Sequence, residues 1–144
     1  MFLMKKLVVA SLSAAALMTN GANALSSPVG MWLAKDGAKI RISPCGRNLC
    51  GFIAQTATRI DPATGRPITD KNNADLAKRK RPLAGVQILI SLQPNGANRW
   101  LGQLYNDDDG QTYQGNLIEL SPSSIRVEGC SAGICGGDNL TRPK

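Results

Sequence analysis

Apolar and polar residues alternate through most of the chain. "AKIRIS" (38–43) sets Ala38, Ile40 and Ile42 against Lys39, Arg41 and Ser43. "GVQILISLQ" (85–93) places Val86, Ile88, Ile90 and Leu92 on one side, and "SIRVE" (124–128) alternates Ile125 and Val127 with Arg126 and Glu128. Successive side chains of a strand point to opposite faces, so a period of two predicts strands with one buried and one wet face. Turn formers punctuate the runs: KDG at 35–37, CGRN at 45–48, PNGAN at 94–98, DDDG at 107–110, SPSS at 121–124 and SAG at 131–133.

This pattern predicts an all-β domain of eight strands, over 30–35, 38–45, 49–58, 84–93, 98–106, 111–120, 124–130 and 134–142. Six of the seven connections are short enough for hairpins, which gives an antiparallel up-and-down meander. An open sheet of that size would leave two exposed edges, and closure into a barrel removes them. A two-sheet sandwich is the alternative. The remaining connection, 60–84, is long, polar and proline-bearing, and long loops in compact domains are often functional. Within it, Asn73 is placed to cap one helical turn over "ADLAKR" (74–79), with Pro82 as its stop. The connection lies beside one barrel mouth, where a lid is one reading.

The N-terminus adds a compartment. Lys5 and Lys6 precede the apolar run "LVVASLSAAALM" (7–18), and "ANA" (22–24) follows. A basic start, a short apolar stretch and a small-x-small site are the parts of a secretory signal peptide. The run is shorter than the roughly 20 residues of a bilayer-spanning helix, although a membrane anchor is the competing reading. Cleavage after Ala24 would give a single domain over 25–144, exported to a bacterial periplasm or beyond, with no transmembrane anchor. The leader holds two of the 17 basic residues and none of the 10 acidic ones, so the remainder carries 15 basic residues and a net charge of +5. Its aromatics (Trp32, Phe52, Trp100, Tyr105 and Tyr113) are not interleaved with a basic stripe, which argues against nucleic acid as a partner.

Export bears on the four cysteines, since pairs persist as disulfides in an oxidising compartment. "CGRNLC" (45–50) and "CSAGIC" (130–135) each enclose turn formers between strand-like flanks. Of the three possible connectivities, hairpin closure favours Cys45–Cys50 and Cys130–Cys135, with the cysteines of each pair facing one another across a four-residue loop. A four-thiolate zinc site and redox catalysis are the competing chemistries. The spacing is loose for zinc, and it is longer than the two intervening residues usual in redox motifs.

The residues "VGMW", "CGRNLCGFI", "GRPITDKNN", "KRPLAGVQIL", "RWLGQLYNDDDGQTY" and "LTR", in this order and spacing, resemble the exported bacterial proteins grouped as domain of unknown function 2147. The resemblance covers nearly all of residues 25–144 and implies a lipocalin-like (calycin-like) barrel, a signal peptide and no particular activity. Gly30-x-Trp32 also resembles the first-strand motif of lipocalins. In that group a basic residue on the last strand covers the tryptophan, a role the resemblance gives to Arg142. The chain is shorter than most lipocalins and has small residues at many strand positions, a departure that argues against a large central cavity.

Candidate chemistry is sparse. With no histidine the commonest general base is missing, and no nucleophile elbow, phosphate loop or dinucleotide motif occurs. The reading is therefore a non-enzyme with no catalytic residue, metal or cofactor. A carboxylate pair from Asp70 and one of Asp107, Asp108 or Asp109 is the one hydrolytic arrangement available. "DDDG" is explained by a bulged hairpin turn with Gly110 left-handed, and Asp70 with its neighbours by loop-anchoring hydrogen bonds. The leading expectation is a barrel that binds a small apolar or amphipathic molecule at its mouth, with Trp32, Asp70, Asn72, Trp100, Tyr113 and Arg142 as binding candidates. The alternative is docking on an anionic envelope component or a protein through Lys78, Arg79, Lys80 and Arg81.

Overall fold

The computed structural model describes residues 27–144, so the leader expected over 1–24 lies outside the described residues. The strands are β1 (Gly30–Leu33), β2 (Lys39–Cys45), β3 (Asn48–Gln55), β4 (Ile60–Asp61), β5 (Arg66–Pro67), β6 (Gln87–Pro94), β7 (Arg99–Asn106), β8 (Gln111–Ser121), β9 (Ser124–Ser131) and β10 (Ile134–Thr141). Eight of them close into a barrel in the order β1-β10-β9-β8-β7-β6-β3-β2, which is chain order around the ring. The sandwich alternative is thereby excluded, and β4 and β5 pair separately as a small hairpin inside the long connection.

Alternation builds most of the wall as the sequence predicts. Ile40 and Ile42 of β2 are buried, as are Leu117 of β8 and Ile125 of β9. Strand β6 departs from it. The expected inward set was Val86, Ile88, Ile90 and Leu92, whereas Leu89 and Leu92 are completely buried and Ile88 and Ile90 only partly. Its register shifts against both neighbours, and Ser91 takes a positive φ of 52°. An extra residue in one strand of a pair switches the face of everything beyond it.

Both disulfides form as expected, but the turns they flank are tighter than a four-residue loop. Cys45 faces Asn48 across a two-residue turn, so Cys45 and Cys50 are diagonal neighbours, with Cα atoms 5.8 Å apart. Cys130 faces Cys135 directly, with Cα atoms 4.1 Å apart. There Ala132 and Gly133 both take positive φ, the two-residue turn whose twist matches the strands it joins. The first disulfide lies at the end of the barrel where β1 begins. The second lies at the opposite end, where β1 finishes.

At the first end, which we call the closed end, Trp32 is completely buried and its Nε1 donates to the Pro28 carbonyl at 2.8 Å. The Arg142 guanidinium lies 3.9 Å above the indole and donates to the carbonyls of Val29 (3.0 Å) and Ser27 (2.9 Å). Gly30, at φ +126°, passes directly beneath it, and a Cβ there would collide with the guanidinium. This explains both members of the Gly-x-Trp pair: glycine admits the arginine, and tryptophan gives it a face, worth about 1 kcal/mol as a cation–π contact.

At the other, open end the ring is incompletely sealed. Strand β1 pairs with β10 only through Leu33 and Thr141. Above that pair the chain turns away at 34–38, and residues 134–139 of β10, paired with β9 on one side, are exposed with no strand on their β1 side among the described residues.

The connection between β3 and β6 is folded rather than structureless. It contains the β4–β5 hairpin, an antiparallel bridge between Thr69 and Pro82, and a single 3-10 turn at Leu76–Lys78. The turn is capped by Asp75 and not, as expected, by Asn73; the Asp75 side chain accepts from the Ala77 amide. Asn73 is engaged elsewhere. Leu83 and Val86 from this connection enter the core, so it is held by apolar burial as well as by polar contacts.

Candidate functional site

The open end holds a cavity of about 700 Å³ that communicates with solvent. Buried Ile40, Ile53 and Leu140 line it, together with half-buried Ile88, Leu104 and Val127. Part of the wall is low: Ala34, Ala38, Gly129, Gly136 and Gly137 contribute little or no side chain. The expectation of limited space is thus corrected. Small residues at strand positions create the volume, because the ring diameter is set by strand number and the interior by side-chain size. Ile68 and Leu83 of the long connection form part of the wall.

That connection is fastened to the mouth by a buried carboxylate. Asp70 is 1% exposed. Its Oδ1 accepts from the Tyr105 hydroxyl at 2.6 Å, and its Oδ2 accepts from Asn73 Nδ2 at 2.8 Å and Arg81 Nε at 3.0 Å. A second Arg81 nitrogen lies 2.8 Å from Oδ2, and the Asp70 amide donates to the Arg81 carbonyl. Asn72 donates to the carbonyls of Asp107 and Asp108, clamping the connection onto the β7–β8 turn. In that turn Gly110 takes φ +70°, as expected, while the β7–β8 register runs through without a bulge. A Cβ at Gly110 would strike the Asn72 carbonyl, so the glycine serves the clamp as well as the turn.

Burial alone would push the Asp70 carboxyl up. The hydrogen bonds from Tyr105, Asn73 and Arg81, with the Arg81 charge, outweigh it and hold the group below its ordinary value. Tyr105 is pushed up to about 12, by burial first and then by its bond to Asp70. An ionised carboxylate with both oxygens engaged and a neutral phenol make a structural lock. Neither is free to exchange a proton with a substrate near neutral pH.

The sequence candidates separate in space. Tyr113 lines the cavity and its hydroxyl donates to Asp109. Asp70 and Asn72 belong to the lock beside the cavity, whose lining includes Tyr105. Trp32 and Arg142 form the closed-end plug, and Trp100 packs half-buried against the core on β7; none of the three is on the cavity wall. Of the four basic candidates, Arg81 is tied to Asp70 and Arg79 Nε donates to the Asn73 carbonyl at 2.7 Å. The side chains of Lys78 and Lys80 have no such bond among the described residues. The cavity carboxylates Asp36, Asp107, Asp108 and Asp138 form no motif in the sequence, because they come from two turns and one strand that only the closed ring brings to one cavity.

A ring of eight strands, plugged at one end by a tryptophan under an arginine and open at the other onto an apolar cavity, defines a lipocalin-like barrel. Residues 30–142 match the sequence model of the bacterial family described as "uncharacterized protein conserved in bacteria (DUF2147)", and the chain belongs to that family. Among solved structures it is similar to protein HP1028 from the human pathogen Helicobacter pylori, described as belonging to the lipocalin family. The TM-score is 0.68 at 16% identity, over 82% of this chain and 84% of that one. A redesigned β-barrel matches with a TM-score of 0.49 at 17% identity, over 84% of this chain and 96% of that one. No protein of curated function matches the chain in sequence. No helix among the described residues is long and apolar enough to cross a membrane.

Proposed function

We propose that this is an exported binding protein whose open-end cavity takes one small, partly apolar molecule. The observation that carries the reading is the cavity itself: about 700 Å³, aliphatic below, polar at the rim and open to solvent. Volumes of this order suit a single small ligand, and burial of its apolar part would supply most of the affinity at roughly 25 cal/mol per Å². The two disulfides fit the oxidising environment that an exported chain meets. Docking through the basic loop is the weaker reading, since two of its four cations are engaged within the lock.

The test uses a neutral, environment-sensitive dye, N-phenyl-1-naphthylamine. The wild-type protein takes it up saturably, with one site per chain. Gly136 lines the cavity on the same face of β10 as Asp138 and Leu140, and a Cβ there meets no atom within 4 Å, so Gly136→Phe is expected to occupy cavity space. That variant keeps its melting temperature and loses the dye. Uptake that is unsaturable, or unchanged in Gly136→Phe, contradicts the proposal.

A further inference from the structure

The cavity inverts the charge of the chain that builds it. The sequence has 17 basic residues and 10 acidic ones. Yet the charged groups on the cavity wall are Asp36, Asp107, Asp108 and Asp138, with no lysine or arginine among them. The ion pairs among the described residues, Arg81–Asp70 and Arg126–Glu128, involve none of the four. The mouth is therefore a negative rim above an aliphatic floor, and Tyr105 and Tyr113 belong to the same wall.

The field is felt by its own members. Burial pushes the Asp107 carboxyl up, and the charges of Asp108, Asp70 and Asp36 push it in the same direction against a backbone hydrogen bond. A cation entering the rim would relieve that repulsion. A metal ion is a poor fit: no group of three or more Asp, Glu, Cys or His among the described residues comes together closely enough to hold one. The carboxylates instead come to the cavity wall from the β1–β2 turn, the β7–β8 turn and β10, a dispersed set that suits a diffuse organic cation attached to an apolar body.

We infer that the cavity selects cationic amphiphiles, the apolar body lying against Ile40, Ile53 and Leu140 and an ammonium head held at the rim by Asp36, Asp107, Asp108 and Asp138. This rests on the binding role proposed above and narrows it to one class of ligand. The four carboxylates act through the field they share, so they set preference and capture rate more than the total affinity.

The experiment compares three probes of equal chain length below their micelle concentrations: decyltrimethylammonium, decanol and decanoate. Each displaces N-phenyl-1-naphthylamine from the wild-type protein at low salt. The ammonium compound is expected to displace the dye at a concentration about tenfold below that of the alcohol, with the carboxylate weakest of the three. Added sodium chloride shrinks the gap between ammonium and alcohol, because rim charges near solvent are screened. In the double variant Asp107→Asn/Asp108→Asn the ammonium-to-alcohol ratio falls toward one. A carboxylate that matches or beats the ammonium compound overturns the inference, as does a preference insensitive to salt, and either leaves the cavity's binding role standing. Failure of the neutral dye itself to bind removes both.

Discussion

At the closed end Trp32, Leu92, Leu117 and Ile125 fill the ring completely, while at the open end the same ring is lined by Gly129, Gly136, Gly137, Ala34 and Ala38. The change occurs within single strands. Along the inward face of β8, Leu117 gives way to Gly115; along β9, Ile125 gives way to Gly129; along β10, Leu140 gives way to Gly136. Toward the open end glycines interrupt the inward faces while the backbone wall continues. Strand number thus sets the bore, and residue size decides which half of the bore is solid. The polar devices differ in the same sense. Arg142 stacks on a ring and caps backbone carbonyls to seal one end, whereas Asp70 gathers Tyr105, Asn73 and Arg81 to hold a long connection at the other.

The sharpest way to break this contrast is at the plug. Trp32→Ala removes a completely buried indole and leaves Arg142 above a void, at an expected cost of about 3–5 kcal/mol, read as a loss of melting temperature or denaturant midpoint. Dye affinity per folded molecule should stay unchanged, because Trp32 is not on the cavity wall. A stable Trp32→Ala protein with impaired binding would reverse the assignment of the two ends.

The lock gives a smaller effect with a pH signature. Asp70→Asn retains shape but loses the charge that Arg81 and Tyr105 address, and is expected to cost about 2 kcal/mol, discounted because the Arg81 side chain is 39% exposed. The folded Asp70 carboxyl lies below its ordinary value of 3.8, so its stabilisation is fully present above that pH and disappears as pH falls through the folded value. Wild type should therefore exceed Asp70→Asn in stability at neutral pH, and the gap should close below about pH 4. Tyr105, pushed up to about 12, sets the alkaline limb: its contribution is intact below 10 and fades as pH rises through the higher value. Equal stabilities of wild type and variant at neutral pH would show that the connection is held by Leu83 and Val86 alone.

The fold was largely legible because alternation is a property of the backbone: most of the ring's wall carries it, and turn residues separate the strands. Strand β6 was misread, since a bulge changes the face of a residue without changing its type. The plug was visible through Gly30, Trp32 and Arg142, which a ring must bring together when its first and last strands pair. The cavity was not, because apolar-versus-polar alternation records no volume; the decline from Ile125 to Gly129 and from Leu140 to Gly136 was present in the letters. The lock was partly visible in "PITDKNN", but Tyr105 and Arg81 reach Asp70 from separations of 35 and 11 residues, distances only the folded chain closes.

The account stands on the two ends behaving differently toward a ligand. The direct measurement is a nitrogen-15 chemical-shift titration of the disulfide-bonded protein with decanol. Saturable shifts are expected at Ala34, Ile88, Leu104, Tyr113 and Gly137, while the Trp32 indole N–H, bonded to Pro28 beneath Arg142, stays in place. Saturable movement of that indole signal with a silent open end would contradict the account.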